Sequence, residues 1–175
     1  GNGALELIRV ADWAARAFGV TPPFAVGGVS AGGDIAVAAA GLDPRMACVA
    51  AVVATPDWRR PGMHVDGQLV GPGEPDAYAA WLYERINPIT NPGSYAHRPA
   101  MLFECGAQDD HVPADGAQRF QQALATFYAL DETRIRVTLH PGVGHDTVPA
   151  MLDNCMAWLR THVPPDERQV TPLAM

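Results

Sequence analysis

The pentapeptide Gly28-Val29-Ser30-Ala31-Gly32 constrains the fold more than any other feature of the sequence. It follows a short apolar run, Phe24 to Val29, and precedes an alanine-rich stretch, Ala31 to Ala40. The run reads as a buried strand and the stretch as a helix. A G-x-S-x-G pattern in that setting is a sharp strand-to-helix turn that leaves the serine hydroxyl free above a sheet. Side chains two residues to either side are expected to crowd such a turn, which is why Gly28 and Gly32 are small. The helix N-terminus points at the hydroxyl, so the Ala31 N–H is the candidate donor to an oxyanion.

The rest of the chain repeats the alternation. Leu5, Ile8, Ala11, Ala15 and Phe18 mark one face of a leading helix, stopped at Gly19. Strands are predicted at Met46 to Ala54, Met101 to Cys105 and Ile135 to Leu139. Helices are predicted at Ala114 to Leu130, with Ala117, Phe120, Leu124 and Phe127 inward, and at Val148 to Leu159, with Leu152, Cys155 and Leu159 inward. Such an order implies an α/β fold, a mostly parallel sheet covered by helices on both faces. Residues 55–98 are rich in proline and glycine, hold a helix-like stretch from Asp76 to Ile86, and read as an insert. The polar segment 164–175 reads as a loose tail after a catalytic unit spanning 1–163.

Ligands of parallel sheets bind beyond the carboxyl ends of the strands. The strand ending near Cys105 is followed by Asp109, Asp110 and His111. Either carboxylate could reach an imidazole, and His111 reads as a surface or packing residue. The last strand is followed by His145 on a glycine-flanked loop. His140 ends that strand and reads as structural, and His64, His97 and His162 have no evident partner. Ser30 as nucleophile, an acid at 109 or 110, and His145 as base form a triad in the chain order serine, acid, histidine.

Several classes of function are excluded. The net charge is −7 and the only basic cluster is Arg59-Arg60, so nucleic acid is not expected as a partner. No apolar run approaches the ~20 residues that cross a bilayer. No metal-ligand spacing and no phosphate loop occur, so no metal and no cofactor are expected. Cys48, Cys105 and Cys155 are odd in number, lie in apolar stretches and lack a C-x-x-C spacing. With no signal peptide visible, they read as buried reduced thiols of a cytoplasmic protein.

The stretches GGVSAGG at 27–33, GLDPRMACVAA at 41–51, HRPAMLFECGAQDDHVP at 97–113 and LHPGVGH at 139–145 together resemble the α/β-hydrolases. The closest branch is dienelactone-hydrolase-like and prolyl-oligopeptidase-like, among small bacterial esterases. The resemblance implies a three-layer α/β-hydrolase fold, of which this chain carries the C-terminal portion. Its G-x-x-D-x-x-V-P pattern, Gly106 to Pro113, places the acid on Asp109. Dienelactone hydrolases use a cysteine nucleophile and this chain has Ser30, which favours an esterase or peptidase-like acyl hydrolase.

In that family several strands, and a loop giving a second oxyanion N–H, precede the nucleophile. Here one helix does, and the expectation is a chain lacking its N-terminal part. Two consequences are expected: slow turnover, and a Phe24–Val29 strand left at the sheet edge, open to a second copy or a completing chain. The substrate expected is a small ester, with Trp58, Met63, Tyr78, Trp81 and Tyr83 of the insert lining an acyl pocket or packing the insert onto the core. Arg59-Arg60 reads as a solvated pair, with attraction of a carboxylate as the alternative. A non-catalytic or partner-completed fragment and a peptidase or acyltransferase remain the competing readings.

Overall fold

The structure, a computed structural model, describes residues 2–163 apart from residue 72. The tail expected from residue 164 lies outside the described residues. Helix α1 (Asn2–Phe18) is followed by β1 (Phe24–Val29), α2 (Ala31–Leu42) and β2 (Met46–Val52). The insert carries a small hairpin, β3 (His64–Val65) and β4 (Gln68–Leu69), then α3 (Ala77–Ile86) and two 3-10 turns. Then come β5 (Ala100–Gly106), α4 (Asp115–Tyr128), β6 (Ile135–His140) and α5 (Pro149–His162).

Four strands form one parallel sheet in the order β1-β2-β5-β6. Alternation along the inner strands sorts the core into two sides. Val49, Ala51, Met101 and Phe103 face α2 and α4, against Ala36, Val37, Phe120 and Leu124. Cys48, Ala50, Val52 and Leu102 face α5, against Met151, Cys155 and Trp158. Helix, sheet and helix make the three-layer α/β architecture that the strand–helix order implied. Each fully buried Leu, Val or Phe contributes roughly 1.5–3 kcal/mol.

Three packing expectations are corrected. In α5 Met151, Cys155 and Trp158 face inward with half-buried Leu159, while Leu152 is 49% exposed. Both sets fit a helical period, and the helix turns the one carrying Trp158 to the sheet. In α1, Ala4 is buried and Leu7 and Ile8 pack against Ala38 and Ala39 of α2, whereas Leu5 and Phe18 are exposed. Ile8 and Ala11 of the expected face do pack against the core, while its two ends, Leu5 and Phe18, lie outside it. Strand β1, apolar enough to read as buried, alternates half-buried Phe24, Val26 and Gly28 with exposed Ala25, Gly27 and Val29. Among the described residues it pairs only with β2, at the sheet edge.

Candidate active site

Ser30 occupies the junction of β1 and α2 at φ 51, ψ −123. A non-glycine residue with positive φ stores about 1–3 kcal/mol of strain, held only when its surroundings demand it. Here the Ser30 N–H donates to Val52 O at 2.8 Å, and the Ser30 carbonyl accepts from Asp34 N at 3.1 Å. A Cβ at Gly28 would stand 2.4 Å from the Gly32 carbonyl carbon, so the close approach of strand and helix requires a glycine there. The expectation for Gly32 is corrected: a Cβ there would meet nothing within 4 Å. Gly33 takes its place in the packing, since a Cβ there would come within 2.5 Å of Ala54 Cβ. Ala31 is the first residue of α2 and is exposed, and the N–H groups of a helix's first turn have no acceptor within the helix.

The loops after β5 and β6 bring an acid and a base to this serine. His145 Nε2 lies 3.0 Å from Ser30 Oγ, and His145 Nδ1 lies 2.8 Å from Asp109 Oδ2. An imidazole that donates Nδ1–H to the carboxylate leaves Nε2 free to accept from the serine hydroxyl. The other carboxylate oxygen, Asp109 Oδ1, accepts from the N–H groups of His111 at 3.0 Å and Val112 at 2.7 Å. The Asp109 side chain is fully buried. Asp110 is exposed and offers only its backbone carbonyl, to His64 N. The geometry therefore pairs His145 with Asp109. His111 is exposed and its ring stands against that of His145.

The two loops are fastened to each other. Ala107 N–H donates to His140 O at 3.0 Å and Gln108 N–H to Val143 O at 2.8 Å, and the Gln108 side chain accepts from Gly142 N–H. A Cβ at Gly106 would lie 2.2 Å from Gly144 O, so only glycine lets the loop carrying His145 close over the end of β5.

Below the loops, fully buried Glu104 of β5 is bonded to His140 Nε2 and to Asn154 Nδ2 of α5. Composition hid this cluster, because Glu104 sits inside a run that reads as an apolar strand. A charged residue in such a run was the signal.

A second buried acid, Asp34, lies one turn past Ser30. It accepts from Thr55 N at 2.8 Å and from Arg60 Nη2 at 3.0 Å. Burial pushes its carboxyl above the ordinary value, against the lowering effect of those two partners. Burial also pushes the Cys48 and Cys155 thiols up to about 11 and Cys105 to about 12, so all three free cysteines are inert at neutral pH.

The insert forms an open cavity of about 570 Å³ whose walls include Trp58, Met63, Leu82 and Tyr83 together with Arg59 and Arg60. None of Ser30, Asp109 and His145 lines it, but Arg60 joins its wall to Asp34 on the helix that starts after Ser30. Trp58 and Tyr83 thus line a cavity as expected for a pocket. Trp81 does not: it is exposed, stacks on Tyr78 and lies under the Arg85 guanidinium. It faces away because α3 turns Ala79, Leu82 and Tyr83 inward. Among the described residues no group of three or more His, Cys, Asp or Glu side chains is placed to hold a metal.

Comparison with known proteins agrees with this architecture. The structure of TT1662 from Thermus thermophilus superposes with a TM-score of 0.72 at 25% identity, over 93% of this chain and 63% of that one. A puromycin-hydrolyzing peptidase of Mycobacterium tuberculosis gives 0.64 at 20% identity, over 89% of this chain and 24% of that one. The methylesterase BT1017 gives 0.64 at 15% identity, over 96% and 36%. This chain therefore spans less than two thirds of these neighbours, and the latter two likenesses speak for the fold alone. No curated protein matches it. The profile of the prolyl oligopeptidase family matches residues 1–163, nearly the whole sequence, and the chain belongs to that family.

Proposed function

We propose that the chain is a serine acyl hydrolase, most simply a carboxylesterase acting on small esters. One observation carries the reading: a serine held at positive φ, 3.0 Å from an imidazole that is itself 2.8 Å from a buried carboxylate. Ser30 Oγ attacks the acyl carbon while His145 Nε2 takes its proton. Asp109 fixes the tautomer and stabilises the imidazolium. The Ala31 N–H stabilises the oxyanion, worth roughly 10²–10³ in rate for one such donor. His145 returns the proton to the leaving alkoxide, and water then hydrolyses the acyl-enzyme by the same relay. Three buried, inert thiols suit a reducing, cytoplasmic setting. Among the described residues no helix is long and apolar enough to cross a membrane.

Family membership favours a second reading, hydrolysis of peptide bonds through the same three side chains. The open edge of β1 suits a second copy or a completing chain as partner.

Intact-mass labelling with a fluorophosphonate tests the proposal. One adduct on the wild type, and none on Ser30→Ala or His145→Ala, is expected. An unlabelled but folded wild type would leave the chain a non-catalytic module until a partner completes it. Rates on matched p-nitrophenyl esters and p-nitroanilides then separate esterase from peptidase.

A further inference from the structure

We propose that the insert cavity receives an apolar acyl group carrying a carboxylate, and that Arg59 is the residue that recognises it. The inference rests on the acyl-hydrolase reading and deepens it by naming the substrate class. The cavity, about 570 Å³, is large enough for a small acyl group, and among the described residues no acidic side chain lines it. Two arginines line it, and they are not equivalent. Arg60 is ion-paired with buried Asp34 at 3.0 Å. Arg59 has no carboxylate partner among the described residues; it lies over the Tyr83 ring at 4.9 Å from the centroid.

The carboxylates nearest in sequence are engaged or point elsewhere. Asp57 accepts from Tyr83 Oη and pairs with Arg119, and Asp76 caps α3 at Ala79 N. Asp66, in the turn between β3 and β4, and Glu74 are exposed, and neither lines the cavity. A guanidinium parked on an aromatic face keeps its planar N–H fork available for a carboxylate. The apolar walls supply the remaining contacts, and Arg60, through Asp34, sets the cavity beside the serine helix.

The test compares two esters of equal acyl length, the mono-p-nitrophenyl ester of adipic acid and p-nitrophenyl hexanoate. The wild type is expected to favour the adipate ester in kcat/KM by roughly 1.5-fold to fivefold, the range of an exposed charge pair. Arg59→Gln is expected to bring that ratio to about one, and high salt to reduce it in the wild type. A wild-type ratio of one or less, or a ratio unchanged in Arg59→Gln, overturns the proposal.

Binding to Ser30→Ala, read by Trp fluorescence with Trp58→Phe as control, separates this from failure of the hydrolase reading. Monomethyl adipate binding more tightly than methyl hexanoate, with the difference lost in Arg59→Gln, supports the carboxylate site even if no ester turns over. Equal binding overturns it.

Discussion

The His111 ring stands edge-on to His145, with centroids 4.9 Å apart and planes at 69°. The same residue's N–H donates to Asp109 Oδ1. His111 thus braces the base through its ring and the acid through its backbone. His111→Ala should lower kcat by about threefold to tenfold with KM nearly unchanged, because a loosened base misaligns proton transfer. His111→Phe keeps a ring edge and should recover most of the loss. Equal losses in both variants would mean that the ring gives no support.

Gly106 and Gly32 make opposite predictions. Gly106→Ala drives a Cβ into the Gly144 carbonyl, and backbone there has to move. A loss of about 1–3 kcal/mol in chemical unfolding is expected, with activity falling as the His145 loop shifts. Gly32→Ala meets open space within α2 and should be neutral or stabilising by about 0.5–1 kcal/mol. A destabilised Gly32→Ala would show that this face of the helix is covered in solution.

Asp34 and Asp43 should make stability depend on pH in opposite senses. Burial raises the Asp34 carboxyl, so its contribution is complete below the ordinary value of 3.8 and is lost as pH rises through its folded value. The Arg45 guanidinium lowers Asp43, whose contribution is present above 3.8 and lost as pH falls through its depressed value. Melting curves from pH 2 to 7 check both. Relative to wild type, the Tm of Asp34→Asn should climb with pH above 3.8. That of Asp43→Asn should match wild type at the acid end and fall behind as pH approaches 3.8. Parallel curves would contradict the assigned directions.

The flank of β1 predicts self-association. The strand FAVGGV has no charged residue to guard its open edge, and α1, packed on α2, exposes Leu5, Val10, Trp13 and Phe18. Light scattering at micromolar concentrations should show dimers or larger species. A monodisperse monomer would contradict this.

Chemistry was more legible in the sequence than packing. The turn around Ser30 announced itself because a hydroxyl lifted off a sheet needs a particular backbone, and small residues betray it. The loops carrying Asp109 and His145 could be placed because each follows a strand end, and the structure brings both to Ser30. The inward faces of α1 and α5 were legible in part: Ile8, Ala11, Cys155 and Leu159 pack inward as expected, whereas Leu5, Phe18 and Leu152 are as apolar and yet exposed. Two-residue strands such as His64–Val65 carry no alternation to read. Trp81 was misplaced for a related reason: aromatic character says nothing about the side of a helix on which a ring falls. Asp34 and Glu104 escaped notice because their partners, Arg60 and Thr55 for one and His140 and Asn154 for the other, lie 21–50 residues away.

The Ser30 N–H is fastened to Val52 on β2, and the Val53 N–H that follows is fastened to Glu104 on β5. Ser30 is therefore cantilevered from the inner side of the sheet, where the loops after β6 and β5 bring His145 and Asp109 to it. The outer side of β1 becomes a socket. A partner seated there would leave the spacing of Ser30, Asp109 and His145 unchanged, because the hydrogen bonds described above lie on the other side.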